Sequence, residues 1–240
     1  MLLKNILRSI LIFFHIDITK NLEYDRLTQL IMKRVIKNDS NCIDIGCHKG
    51  EILDYIIKYA PSGKHFAFEP LPYLYKNLIE VYSNKALIFP YALSDIEGKS
   101  TFQFVENAPA YSGIKIRKYD IANPDIKEIE VELKILDNII PPGTKIDFIK
   151  IDVEGGEYGV IKGAKKILKD SQPVMIFECG IGASDYYGTN PIEFYKFITD
   201  EIGLKISTLK SYINKKKSLS LNEFDNFYKT NKEYYFVAHK

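Results

Sequence analysis

The sequence predicts an α/β protein, a doubly wound and mostly parallel seven-stranded sheet entered through N-terminal helices and interrupted after its third strand by a β-rich insertion. Three observations carry this. From residue 41 onward, short apolar runs alternate with amphipathic helical stretches, the signature of βα units around a parallel sheet. Glycines sit where the first run meets its helix, and ionisable residues gather where later runs end. Between residues 129 and 135, apolar and polar residues alternate strictly, the mark of a strand with one wet face.

Residues 1–14 resemble a secretory signal only superficially, because the apolar run 10–14 is short, His15 and Asp17 follow it, and no small-residue cleavage site appears. Lys4 and Arg8 stand one turn apart, which favours an amphipathic helix packed on the domain, with membrane-surface contact through residues 1–18 as the lesser option. No stretch is long enough to span a bilayer. Leu27, Leu30, Ile31, Val35 and Ile36 recur near the helical period and predict a helix over 22–36. Residues 1–40 thus read as a helical segment and 41–240 as the main domain.

In that domain the first strand, 41–45, breaks at Gly46 and Gly50 into a helix striped by Ile52, Leu53, Ile56, Ile57 and Ala60. The second strand is 65–69, after which Pro70 opens a helix carrying Leu74, Tyr75, Leu78, Ile79 and Tyr82. Residues 86–91 form a third strand, which Pro90 either ends early or confines to an edge. The insertion spans about 95–136, with strands near 99–105 and 129–135 and a short helical turn at 136–140. The βα rhythm resumes with strand 146–151, a helix striped by Val160, Ile161, Ala164, Ile167 and Leu168, and strand 173–178. A helix near 191–202 and two late strands, 204–209 and 234–238, complete the reading.

Lys and Arg total 33 against 31 Asp and Glu, a balance too even for the electrostatic footprint of a nucleic-acid binder. A small-molecule acceptor fits better. The three cysteines, Cys42, Cys47 and Cys179, form no CxxC pair and suggest neither a disulfide framework nor a zinc knuckle, so a reducing cytoplasm is expected, with the inner membrane surface as the peripheral option. Oligomeric state is not readable.

In an open α/β sheet, ligands bind at the carboxyl ends of the strands where the strand order reverses. The turn Asp44-Ile45-Gly46-Cys47-His48-Lys49-Gly50 falls at such an end, and Glu69 closes the second strand where an acid can accept both hydroxyls of a ribose. Turn and acid together favour a nucleoside-containing cofactor. Lys150, Asp152, Glu154 and Glu157 follow the fourth strand, and Glu178 ends the fifth. A helix N-terminus accounts for Glu157 alone, since buried strands seldom release so many ionisable groups together.

These residues resemble those of the FkbM-type methyltransferases, over roughly residues 41–180. That family shows Asp-Val-Gly-Ala-Asn-x-Gly at the first turn, Phe-Glu-Pro after the second strand, Ala-Leu-Ser-Asp after the third and Lys-Ile-Asp-Val-Glu-Gly-x-Glu after the fourth. Here they stand as the turn from Asp44 to Gly50, Phe68-Glu69-Pro70, Ala92-Leu93-Ser94-Asp95, and Lys150-Ile151-Asp152-Val153-Glu154-Gly155-Gly156-Glu157. Cys47 and His48 depart from Ala-Asn. The resemblance implies S-adenosylmethionine as cofactor: Asp44 and Gly46, with Cys47, His48 and Gly50, around the methionine moiety, Glu69 and Pro70 at the ribose, Ala92, Leu93, Ser94 and Asp95 beside the adenine, and Asp152 facing the sulfonium. It also implies O-methylation of a sugar or natural-product hydroxyl.

Such a transfer is an in-line displacement that needs an aligned oxygen and a base within reach. Candidate bases, in order, are Asp152, Glu154, Glu178 and His48. Mg²⁺ held by the three carboxylates is an option ranked below a metal-free site. The insertion around Tyr111 and the loop 180–188 are expected to wall the acceptor site. The bias toward Lys, Ile and Asn suggests a bacterial surface-polysaccharide or natural-product pathway. Two other readings stay open: a nucleotide-sugar or NAD-dependent oxidoreductase, disfavoured by the absent third glycine, and a noncatalytic adenosine-ligand-binding module.

Overall fold

The computed structural model describes residues 19–119 and 121–240; the helix and membrane contact expected over 1–18 lie outside them. Helix α1 (Lys20–Val35) opens on Thr19, whose hydroxyl accepts from the Leu22 amide, and buries Tyr24, Leu27, Ile31 and Met32. Then follow β1 (Cys42–Ile45), α2 (Glu51–Tyr59), β2 (His65–Phe68), α3 (Pro72–Tyr82) and β3 (Leu87–Phe89). The insertion region holds β4 (Tyr91–Leu93), β5 (Gly98–Val105), β6 (Ile126–Lys134) and α4 (Leu136–Ile139). The chain continues with β7 (Phe148–Ile151), α5 (Glu157–Gly163), α6 (Lys165–Ser171), β8 (Val174–Glu178) and α7 (Pro191–Lys196). It closes with β9 (Lys205–Thr208), α8 (Leu209–Ile213), α9 (Leu221–Thr230) and β10 (Tyr235–His239).

The main sheet has seven strands in the order β3-β2-β1-β7-β8-β10-β9. Only β10 runs against its neighbours among these described strands. The chain builds outward from β1 to β3 and returns to β7, so the order reverses between β1 and β7. Alternation along the strands sends Ile43, Ile45, Ile149, Ile151 and Phe177 to one face, where they pack with Val160, Leu168, Phe194 and Phe224. Cys42, Phe148, Ile176 and Val237 go to the other, against Leu27, Ile31, Leu53, Ile56 and Leu209. The same alternation places Asp44, Lys150, Glu178 and Tyr235 on that second face, at the strand ends nearest α1. The Tyr24 ring of α1 stacks on Tyr235 at 4.9 Å.

Several expectations shift. Pro90 has no amide to give a ladder, and it divides the third strand into β3, at the sheet edge, and β4, which joins a second sheet ordered β4-β6-β5. That small sheet closes on Leu71, Leu74, Ala92, Phe102, Val131 and Leu133. The helix expected from Pro70 starts at Pro72, and the single helix expected after β7 is two, α5 and α6, joined at Ala164. The helix near 191–202 becomes α7 and a π turn, Phe197–Ile202. Helices α8 and α9 were not expected from the sequence.

Candidate active site

A cavity of about 760 Å³ opens at the switch point. Asp44, Gly46, Cys47, His48, Glu69, Pro70, Ala92, Leu93, Asp152 and Glu154 line it. Gly46 sits at φ +78°, and a Cβ there would lie 1.8 Å from the Asp152 carbonyl oxygen, so only glycine lets the β1 turn touch the loop after β7. Most of the turn's amides are taken up within the protein, however. Those of Gly46 and Cys47 donate to the Phe68 carbonyl at 3.0 and 3.1 Å, and that of Gly50 donates to the Cys47 carbonyl. Gly50 itself is the left-handed N-cap of α2 and stands off the cavity wall.

The His48 amide donates instead to Glu69 Oε2 at 2.8 Å, while the Leu71 amide donates to Oε1 at 2.9 Å. Glu69 is 4% exposed and fixed by backbone on both oxygens. Burial pushes its carboxyl up to about 7, with the two amides pulling the other way. Asp44 is buried, and its Oδ2 has no hydrogen-bond partner. Burial raises it to about 6, against the Cys47 thiol and the Lys150 charge. The His48 ring has a buried Nε2 without a partner, and burial with Lys49 lowers its pKa, so the ring is neutral near pH 7.

On the β7 side, Asp152 Oδ2 accepts from Lys150 Nζ at 2.8 Å and from the Tyr235 hydroxyl at 2.7 Å. Burial works to raise this carboxyl, but the Lys150 charge and these hydrogen bonds outweigh it and hold Asp152 below the usual range. Glu154, in the left-handed region at φ +59°, pairs with Arg117. Burial and the neighbouring Asp152 push Glu154 up to about 8, with Arg117 opposing. Glu157 accepts from the Val153 and Gly155 amides at 3.1 and 3.2 Å, the helix-end role expected of it.

Besides Gly50, three expected site residues stand elsewhere. Ser94 and Asp95 face α5: a Cβ on Gly163 would come within 2.2 Å of the Ser94 carbonyl oxygen, and Asp95 pairs with Lys162. Glu178 ends β8, one strand beyond the switch point, and its register partner Tyr235 takes the place at the wall. Among the described residues no three His, Cys, Asp or Glu side chains are grouped to hold a metal ion. Lys150 and Tyr235 engage Asp152 while Arg117 engages Glu154, so the three carboxylates do not form a shared Mg²⁺ cradle.

The walls also include residues the sequence did not suggest. Tyr24, Asp25, Thr28 and Gln29 of α1 line the cavity, as do Tyr55 and Lys58 of α2. The insertion contributes Pro109, Ala110, Ser112 and Ile114, whereas the loop 180–188 contributes none. Its Tyr187 hydroxyl instead accepts from the amides of Ile114 and Lys115, at 3.0 and 3.2 Å, and anchors the insertion. Arg117 was invisible in the sequence, because its neighbours there carry no period and its partner is 37 positions away.

The model of the Methyltransferase FkbM domain matches residues 44–216. The chain belongs to the FkbM methyltransferase family. No curated protein matches its sequence. Among solved structures, the FkbM methyltransferase of Methylobacillus flagellatus KT aligns with a TM-score of 0.53 at 13% identity, covering 85% of this chain and 44% of that one. This FkbM-family chain therefore spans less than half the length of that relative, with which it shares a fold. The fibrillarin of Aeropyrum pernix, solved with natively bound S-adenosyl-L-methionine, aligns at a TM-score of 0.46 and 14% identity over 90% of this chain and 74% of that one. No described helix of the FkbM-family chain is long and apolar enough to cross a membrane.

Proposed function

We propose that this chain is an S-adenosylmethionine-dependent O-methyltransferase acting on a hydroxyl of a sugar or nucleotide-linked glycan precursor in the bacterial cytoplasm, in surface-polysaccharide or natural-product biosynthesis. One observation carries the reading: a backbone-anchored carboxylate, Glu69, and a buried carboxylate oxygen without a partner, Asp44 Oδ2, face one cavity at the switch point. An unpaired buried oxygen is costly unless something completes it, and a ligand ammonium does so. Each Glu69 oxygen takes one amide and keeps a second acceptor direction for a ribose hydroxyl. Leu71, Leu93 and Phe102 offer an apolar bed for an adenine. When bound, the cofactor supplies an electrophilic methyl group.

The chain's own task is then to align an acceptor oxygen, exclude water and take up its proton. Asp152 suits the last role, because it lines the cavity while Lys150 and Tyr235 both hold Oδ2 and keep the group ionised. Glu154 is occupied by Arg117, and His48, neutral and with an unpaired Nε2, stands beside as a second acceptor. Calorimetry with S-adenosylhomocysteine tests the reading. Wild type should release or absorb heat on binding, Glu69→Ala should bind at least about tenfold more weakly, and Asp152→Asn should bind normally but fail to methylate sugar acceptors. Absence of any wild-type binding would sink the proposal.

A further inference from the structure

We propose that Arg117 forms an anion subsite at the edge of the cavity, where a carboxylate or phosphate of the acceptor takes the place now held by Glu154. The inference rests on the methyl-transfer reading for the word acceptor, not for the site itself. Arg117 is carried by the insertion, and its side chain is only 8% exposed. The rings of Tyr111 and Tyr119 lie 5.2 and 5.7 Å from its guanidinium. Glu154 lines the cavity and Arg117 pairs with it, so the carboxylate stands between the cavity and the cation.

Two features set this pair apart from a purely structural ion pair. A buried charge kept for the fold normally has its donors satisfied. Here Arg117 Nε and the Tyr119 hydroxyl, both buried and in the same cluster, have no hydrogen-bond partner. A guanidinium presents several donors in a planar fork and suits an oxyanion with two acceptor oxygens. Glu154 fills one position of that fork and leaves Nε empty.

Glu154 is also a poorly settled occupant. It is a non-glycine residue at φ +59°, held among Asp152, Glu157, Glu178 and Lys150 as well as Arg117. Burial and the carboxylates make protonation of Glu154 easy near pH 8. When an acceptor anion takes the guanidinium and Glu154 gains a proton, the charge of the cluster does not change. A stronger acid's anion therefore competes well against it. Lys115 and Lys118 flank Arg117 in the sequence and add positive charge to the same segment.

Calorimetry on the full chain tests this with glucose 1-phosphate, glucuronate and glucose as probes, each with and without S-adenosylhomocysteine. The phosphate or the carboxylate sugar, or both, should bind at least about tenfold more tightly than glucose, and which one does so names the source of the anion. Arg117→Gln should abolish that preference, and Tyr119→Phe, which keeps the ring, should weaken it. Glu154→Gln removes the competing carboxylate and should tighten anion binding at pH 8.5. Proton uptake on binding, read from buffers of different ionisation enthalpy, should rise as pH passes about 8 in wild type and vanish in Glu154→Gln. Equal binding of all three sugars, or an anion preference that survives both Arg117→Gln and Tyr119→Phe, would overturn the inference. Anion binding without S-adenosylhomocysteine binding would keep the subsite and remove the methyl-transfer reading; the reverse would remove the subsite alone.

Discussion

Gly46 shows how one position can tie the two halves of the site together. Its φ of +78° is open to glycine, and its missing Cβ is the reason the Asp152 carbonyl can sit where it does. Gly143 has nearly the same φ, +79°, with nothing within 4 Å of where a methyl group would stand. The two therefore separate conformational strain from collision. Gly143→Ala should cost about 1–2 kcal/mol, the ordinary penalty of a left-handed alanine. Gly46→Ala adds a clash with backbone, which cannot rotate away, and should cost about 2–4 kcal/mol, lowering the melting temperature by roughly 10 °C. Thermal unfolding of the two variants side by side checks it; equal shifts would mean that the contact with Asp152 is soft. The sequence displayed both glycines alike, since a turn glycine announces its φ and not what its missing side chain would strike.

At the scale of elements, legibility followed burial. The strands β1, β2, β7 and β8 were readable because buried parallel strands are short apolar runs bounded by Gly or Pro, and Asp44, Glu69 and Asp152 could be placed from their ends alone. Pro90 marked a break but not the second sheet that β4 joins, since pairing with β6 depends on residues some 40 positions on. Helix α9 was missed although it carries a local signal. Ser220 caps it through the Glu223 amide, and the Glu223 side chain returns to the Ser220 backbone, a reciprocal box spelled out three residues apart. Its apolar stripe, Phe224, Phe227 and Tyr228, is brief, and the lysines before it read as loop. Removing the cap by Ser220→Ala should cost about 1 kcal/mol and shift the melting temperature down by about 2–4 °C. Chemical denaturation with an unchanged midpoint would show that α9 is held by packing alone.

For the whole molecule, the buried carboxyls set a dependence of stability on pH. Burial raises Glu69 and Glu157 to about 7 and Glu154 to about 8, and Glu178 moves the same way. A group whose folded pKa is raised holds its proton in the folded state where the unfolded chain, titrating near 4.5, has released it. Stability from these groups is full below the unfolded pKa and falls as pH climbs toward the folded one. Burial also lowers His48, His65 and His239, which acts oppositely: below about 6.5 the unfolded chain takes up protons that the folded histidines refuse. Near pH 6 the two sets offset each other, whereas above pH 6.5 the histidines are silent and the carboxyls act alone. The melting temperature should therefore fall between pH 6.5 and 8.5, by roughly 5 °C, in scans at constant ionic strength. In Glu154→Gln the slope should flatten most between pH 6.5 and 7.5, where the folded carboxyl still holds a proton that the unfolded chain has released, and less above pH 8. A flat or rising wild-type profile across this window would mean that the acid cluster is already ionised and paired in the folded protein, with Lys150 and Arg117 carrying more of its charge than the burial of the four glutamates allows.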